Sequence, residues 1–154
     1  MARVSKNSSR LEEYNSEKYR IYKTAQYVRL SKEDNGKEDG NSIENQIELI
    51  KRYVSEKPYL SPVELYIDNG YTGTDFNRPN FQRMMDDIRA GKIDCIVIKD
   101  LSRLGRNYIE AGEFIDKICP FLGVRLISIN DSFDTDNLSS NSELGANLKN
   151  VIND

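Results

Sequence analysis

The chain has 154 residues, enough for one domain with a sizeable core, and 22 basic against 25 acidic side chains give it a net charge of −3. With 31% charged and 38% hydrophobic residues, it has the composition of a folded globular domain. It contains no histidine, which excludes a Ser-His-Asp triad, histidine metal sites and imidazole acid–base catalysis. The acidic balance argues mildly against a domain that binds nucleic acid by itself.

The two cysteines, Cys95 and Cys119, are too far apart for a C-x-x-C motif, so no structural zinc site is predicted. Cys95 lies in an apolar run, which favours a buried free thiol and a reducing setting. No apolar run approaches the roughly 20 residues of a membrane span, and the first residues lack the apolar core of a signal peptide. We therefore expect a cytoplasmic protein without a membrane partner.

Three stretches of different character divide the chain. Residues 1–20 are polar and are interpreted as an N-terminal tail. Residues 21–140 alternate between strand and helix patterns, which predicts one folded domain. A further helix is predicted over residues 141–154, and because its apolar stripe still runs where the chain stops, we expect a truncated helix. The stripe consists of Leu144, Leu148, Val151 and Ile152.

The first strand is predicted at residues 21–30, where β-forming residues dominate. A helix with one apolar face follows, and either Asn41 or Ser42 can cap its start. Residues 63–67 form a short apolar run that predicts a second strand, ended by a turn at residues 68–70.

Pro79 suits the first turn of a second helix, which Gly91 ends. The buried stripe of this helix is predicted to be Phe81, Met84, Met85 and Ile88. The most apolar strand, residues 94–98, follows directly.

A third helix is predicted around residues 107–118, ended by Pro120 and Gly123. Residues 124–129 are predicted to be the last strand, and residues 130–137 an acidic loop. Strands that alternate with helices predict an α/β domain with a mainly parallel central sheet flanked by helices. In such sheets, functional groups gather in the loops at the carboxyl ends of the strands.

The first candidate site is the end of the first strand. Tyr27, Arg29 and Ser31 are two residues apart, so they share one face of the strand. A hydroxyl beside a guanidinium is a candidate nucleophile, although an exposed serine and a solvated arginine fit the same pattern.

The second candidate follows the apolar strand. Arg103 and Arg106 lie three residues apart at the predicted start of a helix, where guanidinium groups can bind phosphate oxygens and Gly105 permits close approach. The third is Arg78, a cation at a helix start, where the helix dipole disfavours it unless an anion binds there.

Four of these residues fall at strand ends or helix starts, which should all lie along one edge of the sheet. They are Ser31, Arg78, Arg103 and Arg106. This placement predicts phosphoryl transfer to Ser31, with the arginines stabilising charge on the phosphate oxygens. Guanidinium groups supply that charge without a metal, so we expect no cofactor.

Four motifs carry a resemblance to a known family. They are Y-V-R-L-S at 27–31, S-I-E-N-Q at 42–46, N-R-P-N-F at 77–81 and I-D-C-I-V-I-K-D-L-S-R-L-G-R at 93–106. In this order they resemble the serine recombinases, the resolvase/invertase enzymes, and most closely the large branch found on conjugative transposons and phages. The resemblance covers about residues 22–154.

The resemblance implies that Ser31 attacks a DNA phosphodiester to give a 5′-phosphoserine link and a free 3′-hydroxyl, followed by strand exchange and religation without ATP or metal. By motif position it assigns the active-site arginines as Arg29, Arg78, Arg103 and Arg106. It assigns the supporting residues as Tyr27, Gln46 and Asp94. Ser102 stands where the small resolvases carry an acid.

The resemblance also implies partners. Residues 21–140 would be the catalytic domain, and residues 141–154 the start of the long helix through which family members form dimers and tetramers. Double-stranded DNA would be held mainly by C-terminal domains that this sequence does not contain. We therefore expect that the chain alone does not recombine DNA.

Two other interpretations remain open. Asp68 and Asp100 each follow a predicted strand, as in a receiver-like or phosphatase domain that uses Mg²⁺. A non-catalytic interaction module that binds through the last helix is the other alternative.

Overall fold

A computed structural model describes residues 20–30, 42–69, 78–105 and 108–137. The N-terminal tail up to residue 19, Ser31, Arg106 and the predicted last helix lie outside the described residues.

A five-stranded sheet forms the centre of the described structure. Its strands are β1 (Tyr22–Leu30), β2 (Leu60–Asn69), β3 (Cys95–Ile98), β4 (Arg125–Ser128) and β5 (Phe133–Asp134). They lie in the order β2-β1-β3-β4-β5, and every pair is parallel except β4 with β5. The carboxyl ends of β1 to β4 therefore meet at one edge of the sheet.

Helices cover both faces of this sheet. They are α1 (Ile43–Glu56), α2 (Pro79–Arg89), α3 (Tyr108–Glu113) and α4 (Cys119–Leu122), with a π-helical segment (Phe114–Ile118) joining α3 to α4. Apolar residues of α1 pack with Val28 and Val97 on one face, and those of α2 and the π-helical segment pack with Tyr27 and Ile96 on the other. The predicted fold class, an α/β domain with a mainly parallel sheet flanked by helices, is confirmed.

Local sequence signals explain where the helices begin and end. The Ser42 hydroxyl accepts a hydrogen bond from the Asn45 amide at 3.2 Å, so Ser42 caps α1. Gly91 and Gly123 have φ of +78° and +68°, a conformation that glycine adopts at little cost, and they follow the ends of α2 and α4. The predicted apolar stripe of α2 is buried as expected.

Three element predictions are wrong. Residues 130–137 are not only loop, because β5 pairs antiparallel with β4 there. The third helix does not end at Pro120, because the helical path continues from the π-helical segment through α4, and Gly123 in the left-handed conformation ends it. The strand predicted at 63–67 is longer: β2 includes Pro62, which an edge strand tolerates beside the bulge at its pairing with Thr24 and Ala25.

None of the helices described is long and apolar enough to cross a membrane.

Candidate active site at the carboxyl edge of the sheet

Three arginines from distant parts of the sequence lie at the carboxyl edge of the sheet. Arg29 is at the end of β1, Arg78 immediately precedes α2, and Arg103 belongs to a 3₁₀ turn, Leu101–Arg103, that follows β3. Their side chains are almost fully enclosed, since the residues are 4%, 1% and 3% exposed. Burial of three guanidinium groups is costly, so each must have strong hydrogen bonds.

The backbone of the 3₁₀ turn after β3 and of Leu104 beside it accepts hydrogen bonds from Arg29 and Arg78. Arg29 Nη2 donates to the Ser102 carbonyl at 2.7 Å. Arg78 donates to two carbonyls, from Nη1 to Arg103 at 2.8 Å and from Nη2 to Leu104 at 2.7 Å. Arg103 Nη1 in turn donates to the Arg29 carbonyl at 2.7 Å. The ends of β1, α2 and this turn are thereby tied together.

Asp100 shapes the turn from its amino end. Its Oδ1 accepts from the Ser102 amide at 3.1 Å and from the Ser102 hydroxyl. Its Oδ2 lies 3.5 Å from Nη2 of Arg103. Leu101 and Leu104 are buried beside it and fix the turn on the sheet. Arg103 thus lies at the carboxyl edge because a 3₁₀ turn capped by Asp100 follows β3 directly.

Gln46 reaches the same edge from the opposite face of the sheet. It lies on α1, is fully buried, and donates from Nε2 to the Arg29 carbonyl at 3.2 Å. That carbonyl therefore accepts from both Gln46 and Arg103, which fixes the last residues of β1.

Asp68 also lies at this edge, although the sequence predicts a role for it only in the receiver-like alternative. It is buried at the end of β2, and its Oδ2 accepts from the Tyr27 hydroxyl and the Phe81 amide, each at 2.9 Å. Its Oδ1 accepts from the Asn80 amide at 3.0 Å. Since Arg78 makes no side-chain cap to α2, Asp68 supplies the acceptor that the first turn of this helix needs.

Tyr27 stays protonated at this position. Burial raises the pKa of Tyr27 far above its ordinary value of 10, the charge of Arg78 opposes the rise, and the charge and hydrogen bond of Asp68 add to it. The Arg78 guanidinium carbon lies 5.6 Å from the centre of the Tyr27 ring and 4.8 Å from that of Phe81. The aromatic rings therefore hold Arg78 from the side while the turn holds its nitrogens.

The edge carries an excess of buried positive charge. Among the residues that the structure describes, the buried cations are Arg29, Arg78, Lys99 and Arg103, and the one buried carboxylate is Asp68. Asp100, which is 23% exposed, and Asp131, which is partly buried, add carboxylates at the same edge. Because backbone carbonyls satisfy guanidinium donors without cancelling their charge, the buried cations of the described residues stay charged at this edge.

Asp94, the remaining predicted site residue, is not brought to this edge. It precedes β3, and its Oδ1 accepts from the Lys23 amide at 2.7 Å, while Arg20 lies 3.2 Å from its Oδ2. Lys23 and Arg29 are six residues apart on one strand, which separates them by about 20 Å. Of the predicted residues within the described part, the structure brings together Tyr27, Arg29, Gln46, Arg78 and Arg103.

Within the described residues, Asp68 and Asp100 do not form an acidic cluster with a third ligand. In the described part of the chain, no three cysteine or acidic side chains are close enough to hold a metal ion. Each of the two carboxylates accepts hydrogen bonds from its own neighbours instead.

A parallel sheet with an arginine cluster at its carboxyl edge defines an α/β domain suited to chemistry on an anionic group. Comparison with known proteins identifies its family. The family model "Resolvase, N terminal domain" matches residues 24–153, so the chain belongs to that family. The resemblance to the serine recombinases is thereby confirmed.

Relatives and solved structures agree with this assignment. The chain is 34% identical over 81 residues to the "Putative DNA recombinase" of Bacillus subtilis (strain 168), which is 53% of this chain and 15% of that protein. It superposes on the N-terminal catalytic domain of TP901-1 integrase with a TM-score of 0.69 at 26% identity, covering 80% of this chain and 89% of the other.

A resolvase family site-specific recombinase from Streptococcus pneumoniae gives a TM-score of 0.63 at 29% identity, covering 80% and 83% of the two chains. The C-terminal catalytic domain of ISC1926 TnpA, an IS607-like serine recombinase, is 22% identical with a TM-score of 0.57 over 69% of each chain, a likeness in fold alone.

Proposed function

We propose that the chain is the catalytic domain of a site-specific DNA recombinase in which Ser31 attacks the phosphorus of a DNA phosphodiester. The observation that carries this proposal is the convergence of Arg29, Arg78 and Arg103 at the edge where β1 ends. Ser31 is the next residue in the chain after Leu30, the last residue of β1. The family membership supports the same assignment.

The reaction exchanges one phosphate ester for another. The bond from the Ser31 oxygen to phosphorus forms, the bond from phosphorus to the 3′-oxygen breaks, and the serine proton is balanced by the proton that the 3′-hydroxyl gains. The reverse step, with a 3′-hydroxyl from another DNA end, religates the strand and releases the serine. Because the number of ester bonds is unchanged, neither ATP nor another energy source is needed.

The arginines stabilise negative charge on the nonbridging oxygens during transfer. Removal of one such preorganised donor commonly lowers the rate by about 10²–10³. Arg106, three residues beyond Arg103, is proposed as the fourth member of the set on the family motif. Gln46 and Tyr27 support the set by holding the Arg29 carbonyl and the Asp68 carboxylate, as described above.

Assembly and DNA binding belong to the same proposal. Residues 21–140 form the catalytic domain, preceded by the tail 1–20, and residues 141–154 begin a helix through which copies pair as dimers and tetramers. The helix face that would pair consists of Leu144, Leu148, Val151 and Ile152. Most contacts to double-stranded DNA are made by further domains, in keeping with the small share of the Bacillus subtilis relative that this chain spans.

Ser31→Ala in the whole protein tests the nucleophile. On a DNA substrate whose cut ends cannot be rejoined, the wild type should accumulate a protein–DNA adduct that survives denaturation, and Ser31→Ala should form none while still binding DNA in a mobility-shift assay. Ser55→Ala is the matched control, because Ser55 is exposed on α1 and bonds only locally to the Arg52 carbonyl.

An adduct formed by Ser31→Ala would overturn the proposal. The same assay in EDTA separates the Mg²⁺-dependent alternative with Asp68 or Asp100. We expect adduct formation to persist on chelation, and its loss would favour that alternative.

A further inference from the structure

The tight turn that joins β4 to β5 packs against the segment that carries Arg103. The Ile129 amide donates to the Ile98 carbonyl at 3.0 Å, and the Asn130 amide donates to the Lys99 carbonyl at 2.8 Å. These bonds extend the pairing of β4 with β3 past the ends of both strands. They bring Asp131 next to the start of the 3₁₀ turn.

The Asp131 carboxylate holds the first amide of that 3₁₀ turn. Its Oδ2 accepts from the Leu101 amide at 2.8 Å and from the Ser128 hydroxyl at 2.7 Å. Ser128 is buried on β4, so its hydroxyl fixes the orientation of the carboxylate. The first amides of a helical turn have no acceptor within the turn, and a carboxylate gives them a strong, charge-assisted one.

We propose that Asp131 is a positioning residue for the arginine set, an inference that rests on the proposed function. Asp131 fixes Leu101, and the three carbonyls that follow, those of residues 102–104, are the acceptors of Arg29 and Arg78. The same turn carries Arg103. A shift of this turn therefore displaces three guanidinium groups at once, although Asp131 itself binds none of them.

The backbone conformation of Ser132 indicates that the turn carrying Asp131 is held in one conformation by its contacts. Ser132 has φ of +49°, in the left-handed region that residues other than glycine, asparagine and aspartate seldom adopt. Its amide donates to the Ile129 carbonyl at 3.1 Å, which closes the turn. A strained residue persists where the surrounding contacts determine its conformation, and here those contacts include the two bonds to Asp131.

The test compares Asp131→Ala with Asp131→Asn, which keeps an acceptor oxygen but loses the charge. Asp136→Ala is the control, because it removes the same charge from the same stretch of chain, while Asp136 bonds to the Tyr22 hydroxyl near the other edge of the sheet. Four properties are measured. Hydrogen exchange of the Leu101 amide and the NMR signals of the arginine side chains report on the structure, and the rate of adduct formation and the DNA affinity report on function.

In Asp131→Ala we expect Leu101 exchange to rise at least about tenfold, as loss of a hydrogen bond to a charged group predicts, and the signals of Arg29, Arg78 and Arg103 to shift. Adduct formation should slow on the order of 10²-fold, as displaced catalytic groups predict, with DNA affinity changed less than about twofold. Asp131→Asn should recover most of the Leu101 protection and most of the adduct rate. Asp136→Ala should leave both of these at the wild-type level.

If Asp131→Ala leaves the arginine signals and the Leu101 exchange rate unchanged, the positioning role is overturned. It is also overturned if the wild type forms adduct and Asp131→Ala forms it at the same rate. If the wild type forms no adduct, the proposed function fails, and the exchange and NMR measurements still decide whether Asp131 positions the arginines.

Discussion

The two edges of the sheet hold arginines in different ways. At the carboxyl edge, the short bonds of Arg29, Arg78 and Arg103 go to backbone carbonyls, and the contact of Arg103 with the Asp100 carboxylate is longer at 3.5 Å. Near the amino edge, Arg125 meets carboxylates: its Nη2 and Nε lie 2.6 and 2.9 Å from the two Asp134 oxygens, and its Nη1 lies 3.4 Å from Asp136. A carbonyl leaves the charge of an arginine in place, whereas a carboxylate cancels it.

The charge balance explains what each edge can do. Burial alone would lower the pKa of Arg125, but the hydrogen bonds and charge of Asp134, together with the charge of Asp136, raise it above its ordinary value. Arg125 also lies 4.9 Å from the ring centres of Tyr22 and Tyr59. Its charge is thus paired with carboxylates of the protein, whereas at the carboxyl edge Arg29 and Arg78 use their donors to hold the backbone of the 3₁₀ turn.

The largest expected effect is at Arg78. Arg78→Lys keeps the positive charge but cannot donate to the Arg103 and Leu104 carbonyls in the same bidentate geometry. We expect adduct formation in the whole protein to fall by about 10²–10³. The matched control is Arg83→Lys on the same helix, where the side chain is exposed and pairs with Glu64. Equal losses in both variants would contradict the assignment.

The effect at Arg125 should be on stability alone, with the reaction unchanged. Arg125→Met leaves the Asp134 carboxylate, 11% exposed, without its partner. Breaking a buried ion pair costs about 3–5 kcal/mol, which urea unfolding would measure. The double variant Arg125→Met with Asp134→Leu should recover much of that lost stability. As long as they are folded, the single and the double variant should form adduct at the wild-type rate. A lower rate would mean that the amino edge takes part in catalysis.

The smallest effect concerns Cys95, which begins β3 beside Arg125 in the sheet register. Burial raises the pKa of this thiol from 9.0 to about 12. The thiol then ionises in the unfolded chain before it does so in the folded one, so its contribution to stability is complete below pH 9 and is lost as the pH rises toward 12.

The slope should be about 1.4 kcal/mol per pH unit in this window. Urea unfolding at several pH values should therefore show a shallower pH dependence in Cys95→Ala than in the wild type. Parallel curves would show that this part of the amino edge is accessible to water.

The sequence predicts the elements whose signal is local. The stripe of α2 and the Ser42 cap are set by residues within one or two turns, and the structure has both. β5 could not be recognised in this way, because a two-residue strand has no periodicity. It forms since β4 offers a free edge and Arg125 binds Asp134.

The position of the arginines is predictable because parallel strands end at one edge of a sheet, where the following loops and helix starts also lie. This rule predicts that Arg29, Arg78 and Arg103 lie at that edge, and the structure has them there. The same rule predicts that Asp68 lies there, although its sequence pattern suggests metal chemistry. Asp94 was assigned by motif similarity although it precedes its strand, and strand direction alone puts it at the far edge.

An arginine that binds a main-chain carbonyl recognises the path of the chain rather than the identity of the residue. Ser102 gives Arg29 only its carbonyl, which any amino acid would supply. Ser102 is exposed, so a substitution of its side chain that keeps the course of the backbone should leave the acceptor of Arg29 in place.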